Sequence, residues 1–101
     1  MSAYVISEVE VRDENLAARY RFLAERSIAQ YGGTYIVRGA KPEPMEGGWP
    51  EQQRMVLVQF PDADTARRWY ASDEYALALA LREGALQRRL LLVEGLSAEL
   101  L

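Results

Sequence analysis

Two short segments of this chain, Arg54 to Phe60 and Arg89 to Glu94, carry large apolar side chains at odd and even positions alike. In the first, Val56, Val58 and Phe60 fall on one face and Met55 and Leu57 on the other; in the second, Leu90 and Leu92 oppose Leu91 and Val93. Successive side chains of a strand point to opposite faces. A sheet built on these strands therefore has two apolar faces, and both need cover. A chain of 101 residues supplies one domain, residues 1–101, and no second one to do the covering. A chain of this size buries only about two thirds of the surface its unfolded form exposes, so a partner copy would stabilise it considerably.

The remaining segments say where one cover comes from. Ala3 to Val11 alternates, with Val5, Ser7, Val9 and Val11 on one side, and reads as a strand. Asp13 is placed to cap a helix whose face carries Leu16, Tyr20, Leu23, Ala24, Ile28 and Tyr31, and Gly32 can end it in the left-handed conformation. A second strand is predicted from Thr34 to Arg38, followed by a loop punctuated by Gly39, Pro42, Pro44, Gly47, Gly48 and Pro50. Pro61 ends the Arg54 strand. Asp62 caps a helix through Ala63, Ala66, Trp69 and Tyr70, the chain bends at Ser72, and a further helix runs from Asp73 to about Gln87. After the last strand, Leu96 to Leu101 forms an apolar tail.

The order β-α-β-β-α-β predicts an α+β, ferredoxin-like fold, a split βαβ with an antiparallel sheet and all helices on one face. The opposite face then meets a second copy, giving a two-fold homodimer with sheets packed face to face.

The polar chemistry available is narrow. The chain has no histidine and no cysteine, which excludes imidazole or thiolate metal sites, haem needing either as axial ligand, and serine nucleophiles activated by histidine. No metal and no cofactor are expected. The net charge is −3, and the basic residues, all arginine except Lys41, are scattered rather than clustered. Nothing favours a nucleic-acid partner. No apolar run approaches the ~20 residues of a membrane helix, and the first residues lack a basic leader, so the expectation is a cytoplasmic protein with no membrane partner.

Among what remains, Arg38 ends an otherwise apolar strand, where a guanidinium either grips an anionic ligand or pairs with Glu8, Glu10 or Glu94 of neighbouring strands. Trp49, in a Gly-Gly-Trp-Pro loop, is either a lid or an anchor pinning the loop. Trp69, Tyr70 and Tyr75 flank the bend at Ser72 and serve as core or interface packing, or offer a tyrosine hydroxyl as donor to a ligand. Tyr75 and Arg82, two turns apart on one helix, present a phenol and a cation either to a cleft or to a second subunit.

The run Tyr31-Gly32-Gly33-Thr34-Tyr35-Ile36-Val37-Arg38-Gly39, then Gly48-Trp49, Val56-Leu57-Val58-Gln59-Phe60-Pro61, Trp69-Tyr70, Glu74-Tyr75 and Val93-Glu94-Gly95 resembles the family of domains of unknown function DUF1330. Gln59, Asp73 and Ala40 depart from that family's usual glutamate, proline and glycine. The resemblance implies the dimeric α+β barrel superfamily, with a cleft between each sheet and its helices. Its members include cofactor-free monooxygenases, isomerase-like enzymes and proteins without known chemistry, so the fold does not select a reaction.

The functional expectation is a homodimer that binds a small anionic or aromatic metabolite in the sheet–helix cleft. Arg38, Tyr75 and Arg82 supply polar contacts, and Trp49 and Tyr70 form apolar walls. Cofactor-free proton transfer or oxygenation is the chemistry that would suit such a site, with no catalytic base assigned. The alternative is a non-catalytic structural or interaction dimer, with the cleft filled by Trp49, Tyr70 and Tyr75, with Arg38 paired rather than free at the cleft wall, and with Leu96 to Leu101 as an exposed patch.

Overall fold

The computed structural model describes residues 1–96. Strands β1 (Ala3–Val11), β2 (Thr34–Ala40), β3 (Arg54–Phe60) and β4 (Leu86–Glu94) alternate with helices α1 (Glu14–Gln30), α2 (Ala63–Tyr70) and α3 (Asp73–Ala85). The four strands form one sheet in the order β2-β3-β1-β4 with every neighbouring pair antiparallel. This is the α+β, ferredoxin-like arrangement. The Cα atoms fill a slab only 15 Å thick, one sheet and one helical layer.

Three side-chain caps set the helix starts. Asp13 accepts from the Leu16 amide at 3.0 Å, Asp62 from Thr65 at 2.7 Å, and Ser72 from Tyr75 at 3.0 Å. Ser72 also donates to the Trp69 carbonyl at 2.7 Å, so one buried hydroxyl closes α2 and opens α3, and the predicted bend is built around it. Gly32 takes a φ of 74° after α1, as the helix stop requires. The last helix ends at Ala85, two residues before the predicted Gln87, and β4 begins at once with Leu86. Strand pairing with β1 starts at Val11 opposite Leu86, and that long ladder outcompetes the last helical turn.

The helices bury β1 through Ala3, Val5, Ser7 and Val9, and β3 through Val58 and Phe60. α1 lies chiefly against α3 rather than against the sheet, and Ala17, Ala78 and Ala85, all without exposed surface, let the two helices approach closely. α2 sits on the sheet itself. The space left under α1 becomes the cleft described below.

On the other face the register brings Ile6 between Leu57 and Leu91, and Tyr4 between Gln59 and Val93. Leu91 and Val93 remain exposed at 40% and 45%. The two-sided apolar strands therefore leave one face without cover among the described residues. Of the apolar tail, only Leu96 falls within the described residues; 97–101 lie outside them.

Candidate functional site

The inner face of the sheet presents three cross-strand rows. The first is Leu92, Val5, Val58 and Tyr35; the second Leu90, Ser7, Val56 and Arg38; the third Arg88, Val9 and Arg54. Polarity rises along the strands from wholly apolar to doubly cationic. Over these rows α1 contributes Tyr20, Arg21, Ala24 and Ile28, and α2 contributes Trp69. Together they enclose a cleft of about 370 Å³, within the range of small-molecule sites.

A bulge in β2 shapes its wall. The register slips between Tyr35 and Val37, and again between Arg38 and Ala40. Strict alternation would send Tyr35 and Arg38 to opposite faces; the extra residue puts both over the cleft, with the Arg38 guanidinium 4.2 Å from the Tyr35 ring centroid. Arg38 pairs with Glu25 of α1, at 3.3 and 3.2 Å, and not with Glu8, Glu10 or Glu94. This hydrogen bond and charge hold the Glu25 carboxyl below its usual pKa. The pair is about half exposed on both sides, so it is screened and readily exchanged for another anion. Glu8 instead takes Arg89, its cross-strand neighbour on the uncovered face, through two bonds of 2.7 and 2.9 Å.

Deeper in, three groups form a closed triangle. The Tyr20 and Tyr75 hydroxyls lie 2.7 Å apart, and Arg88 donates through Nη1 to Tyr20 at 2.6 Å and through Nη2 to Tyr75 at 2.5 Å. Burial, and then the nearby Tyr75, push the Tyr20 phenol above the usual tyrosine range, so it is a neutral donor at working pH. Each phenol oxygen accepts from Arg88 and only one phenolic proton is used between them. The proton left over can be offered to the cleft through Tyr20, which lines it. Arg88 spends two of its five N–H groups here.

Ser7 stands in the middle row. It is 4% exposed, and its Oγ finds no hydrogen-bond partner among the described residues. An unpaired buried hydroxyl carries a desolvation cost, and this one lines the cleft.

The residues singled out from sequence are distributed differently from expectation. Arg38 lines the cleft. Tyr75 has no exposed surface; it connects to the cleft through Tyr20 and Arg88. Tyr70, 47% exposed, walls a separate apolar cavity of about 300 Å³ on the far side of Trp69. Trp49 donates to the Gln53 carbonyl at 3.0 Å, which pins its loop, and it lines a third cavity of about 530 Å³ with Glu8, Arg88 and Arg89 rather than the cleft under α1. Arg82 lines none of these cavities; its carbonyl accepts the Leu86 amide at the end of α3.

Tyr20, Ser7, Arg54 and Arg88 are the additions. Arg88 carries a signal in the sequence: it lies two positions from Leu86 and from Leu90, on the inward face of the strand. Starting that strand at Arg89 hides it.

Residues 2–96 match the family model described as a domain of unknown function, DUF1330. The chain belongs to this family. No curated protein sequence matches it. Among solved structures, the same α+β fold recurs at low identity. A protein of unknown function from Rhodopseudomonas palustris is 16% identical over 95% of this chain and 83% of its own, with a TM-score of 0.75. SnoaB, a cofactor-independent oxygenase from Streptomyces nogalater, is 12% identical over 96% and 95%, with a TM-score of 0.60. A dimeric ferredoxin-like protein of unknown function from Bacteroides fragilis is 11% identical over 93% and 96%, with a TM-score of 0.55. At such identities the likeness carries the fold alone.

Proposed function

We propose that this DUF1330 protein is a homodimer that binds a small anionic or aromatic metabolite in the cleft between its sheet and α1. The observation that carries this reading is the charge of the cleft. Arg21, Arg38, Arg54 and Arg88 line it and no carboxylate among the described residues does, in a chain whose net charge is −3. Concentrating cations in a low-dielectric concavity draws in anions.

The dimer reading rests on the uncovered apolar face, and the dimeric protein from Bacteroides fragilis agrees with it. The structural alternative expects a cleft packed shut by Trp49, Tyr70 and Tyr75; an open volume of about 370 Å³ favours ligand binding instead. Arg38 is paired, as that alternative expects, but its partner Glu25 is exposed, so the pair exchanges readily for another anion. A neutral Tyr20 beside Arg88 suits stabilisation of an enolate-like oxygen. Cofactor-free proton transfer or oxygenation of the bound ligand is therefore the second reading, and the similarity to a cofactor-independent oxygenase is compatible with it.

Methyl-labelled protein titrated with a library of small carboxylic acids and aromatics tests the binding reading. Shifts at Val5, Val56 and Val58, lost when Ala24→Leu narrows the cleft, are the expected result. A library that leaves these methyls unmoved at millimolar concentration contradicts it.

A further inference from the structure

The three inner rows differ in chemistry, and their order constrains what a ligand must carry. Arg54 and Arg88 flank Val9 at one end. Arg54 is exposed at the mouth and forms no ion pair among the described residues. Val5 and Val58 share the other end with Trp69 above them. Between the two ends Ser7 Oγ is buried and unpartnered. Ser7 and Val9 lie two residues apart on one strand, so their rows are separated by about 7 Å.

An anion without an apolar body would leave the inner row unfilled, and an apolar body without an anion would leave the cationic row unneutralised. Ser7 Oγ is already buried and unpaired in the protein alone, so a ligand oxygen that reaches it gains a hydrogen bond that a body without a polar atom leaves unmade. Resting on the cleft-binding reading above, we propose that the ligand is a flat, mainly apolar acid with two oxygen functions. Its carboxylate is held at the mouth by Arg54 and the free N–H groups of Arg88. A hydroxyl or carbonyl oxygen on its body, one row further in, pairs with Ser7 Oγ. Ser7 is then a specificity-determining residue, able to donate or accept at that oxygen.

Three probes separate the parts of this assignment: 6-hydroxy-2-naphthoate, 2-naphthoate and 6-hydroxy-2-naphthamide, titrated by calorimetry with the Val5 and Val58 methyl signals recorded in parallel. The hydroxy acid is expected to bind about tenfold more tightly than either compound lacking one function, since each lost pairing strands a buried or charged group. Ser7→Ala should erase the preference for the hydroxyl and leave that for the carboxylate; Arg54→Gln should do the reverse. Because Ser7 Oγ is unpaired in the protein alone, Ser7→Ala should also leave the melting temperature unchanged or higher. Equal affinities for the two acids, or a hydroxyl preference that survives in Ser7→Ala, overturn the assignment while the cleft remains a binding site. If none of the three probes shifts Val5 or Val58, the cleft-binding reading falls with it.

Discussion

At the scale of single residues, the Tyr20–Tyr75–Arg88 triangle has the clearest consequences. The folded-state pKa of Tyr20 is raised, first by burial and then by Tyr75, and that of Tyr35 is raised by burial. An unfolded chain releases these protons near pH 10, whereas the folded chain holds them longer. Their contribution to stability is therefore fully present below about pH 10 and is lost as pH rises beyond it. Ultraviolet titration of the six tyrosines should show Tyr20 and Tyr35 among the late-ionising phenols, together with a fall in denaturant stability above pH 10; Tyr20→Phe should remove one late-ionising phenol. Six phenols titrating together in the folded protein would contradict the buried triangle. The residue scale was also the least legible in the sequence. Arg38 was visible because it ends an apolar strand, but its partner Glu25 lies on a helix, and the bulge that turns Arg38 toward Tyr35 leaves no mark in an alternating pattern. Trp49 and Tyr70 are large aromatics in plausible places, and size alone does not say which cavity a side chain faces.

At the scale of elements, local signals carried most of the information, because caps and glycines act within a few residues of themselves. Asp13, Asp62 and Ser72 each cap the helix they precede, and the Arg54–Phe60 strand is bounded as expected. The junction of α3 and β4 was misread because both segments are leucine-rich, and the boundary is set by pairing with distant β1. Gly33 is needed for packing rather than for its torsion angles. A β-carbon there would lie 2.6 Å from Ile28 Cγ2 and 2.9 Å from Phe60 Cε1, and both neighbours are buried. Gly33→Ala should cost about 1–3 kcal/mol by chemical denaturation. A loss of only a few tenths would mean that α1 and β3 have room to separate.

For the whole molecule, the two-sided apolar strands are the feature on which the proposed dimer rests, since the helices leave one apolar face of the sheet open. Leu57 lies on that face, opposite Ile6. Leu57→Asp should give a monomer in sedimentation velocity with a lowered melting temperature, because the fold loses the stabilisation of its partner. A monomer of unchanged stability would mean that the open face needs no cover. In the proposed dimer the partner covers the face opposite the cleft, so a ligand can occupy every subunit of that assembly. The most direct test of the account as a whole is native mass spectrometry of the protein gently purified from its own host. The expected spectrum is a dimer carrying a reproducible small acidic adduct, lost in a variant whose cleft is filled by Val56→Phe. An adduct that persists unchanged in the filled variant would contradict a ligand site in this cleft.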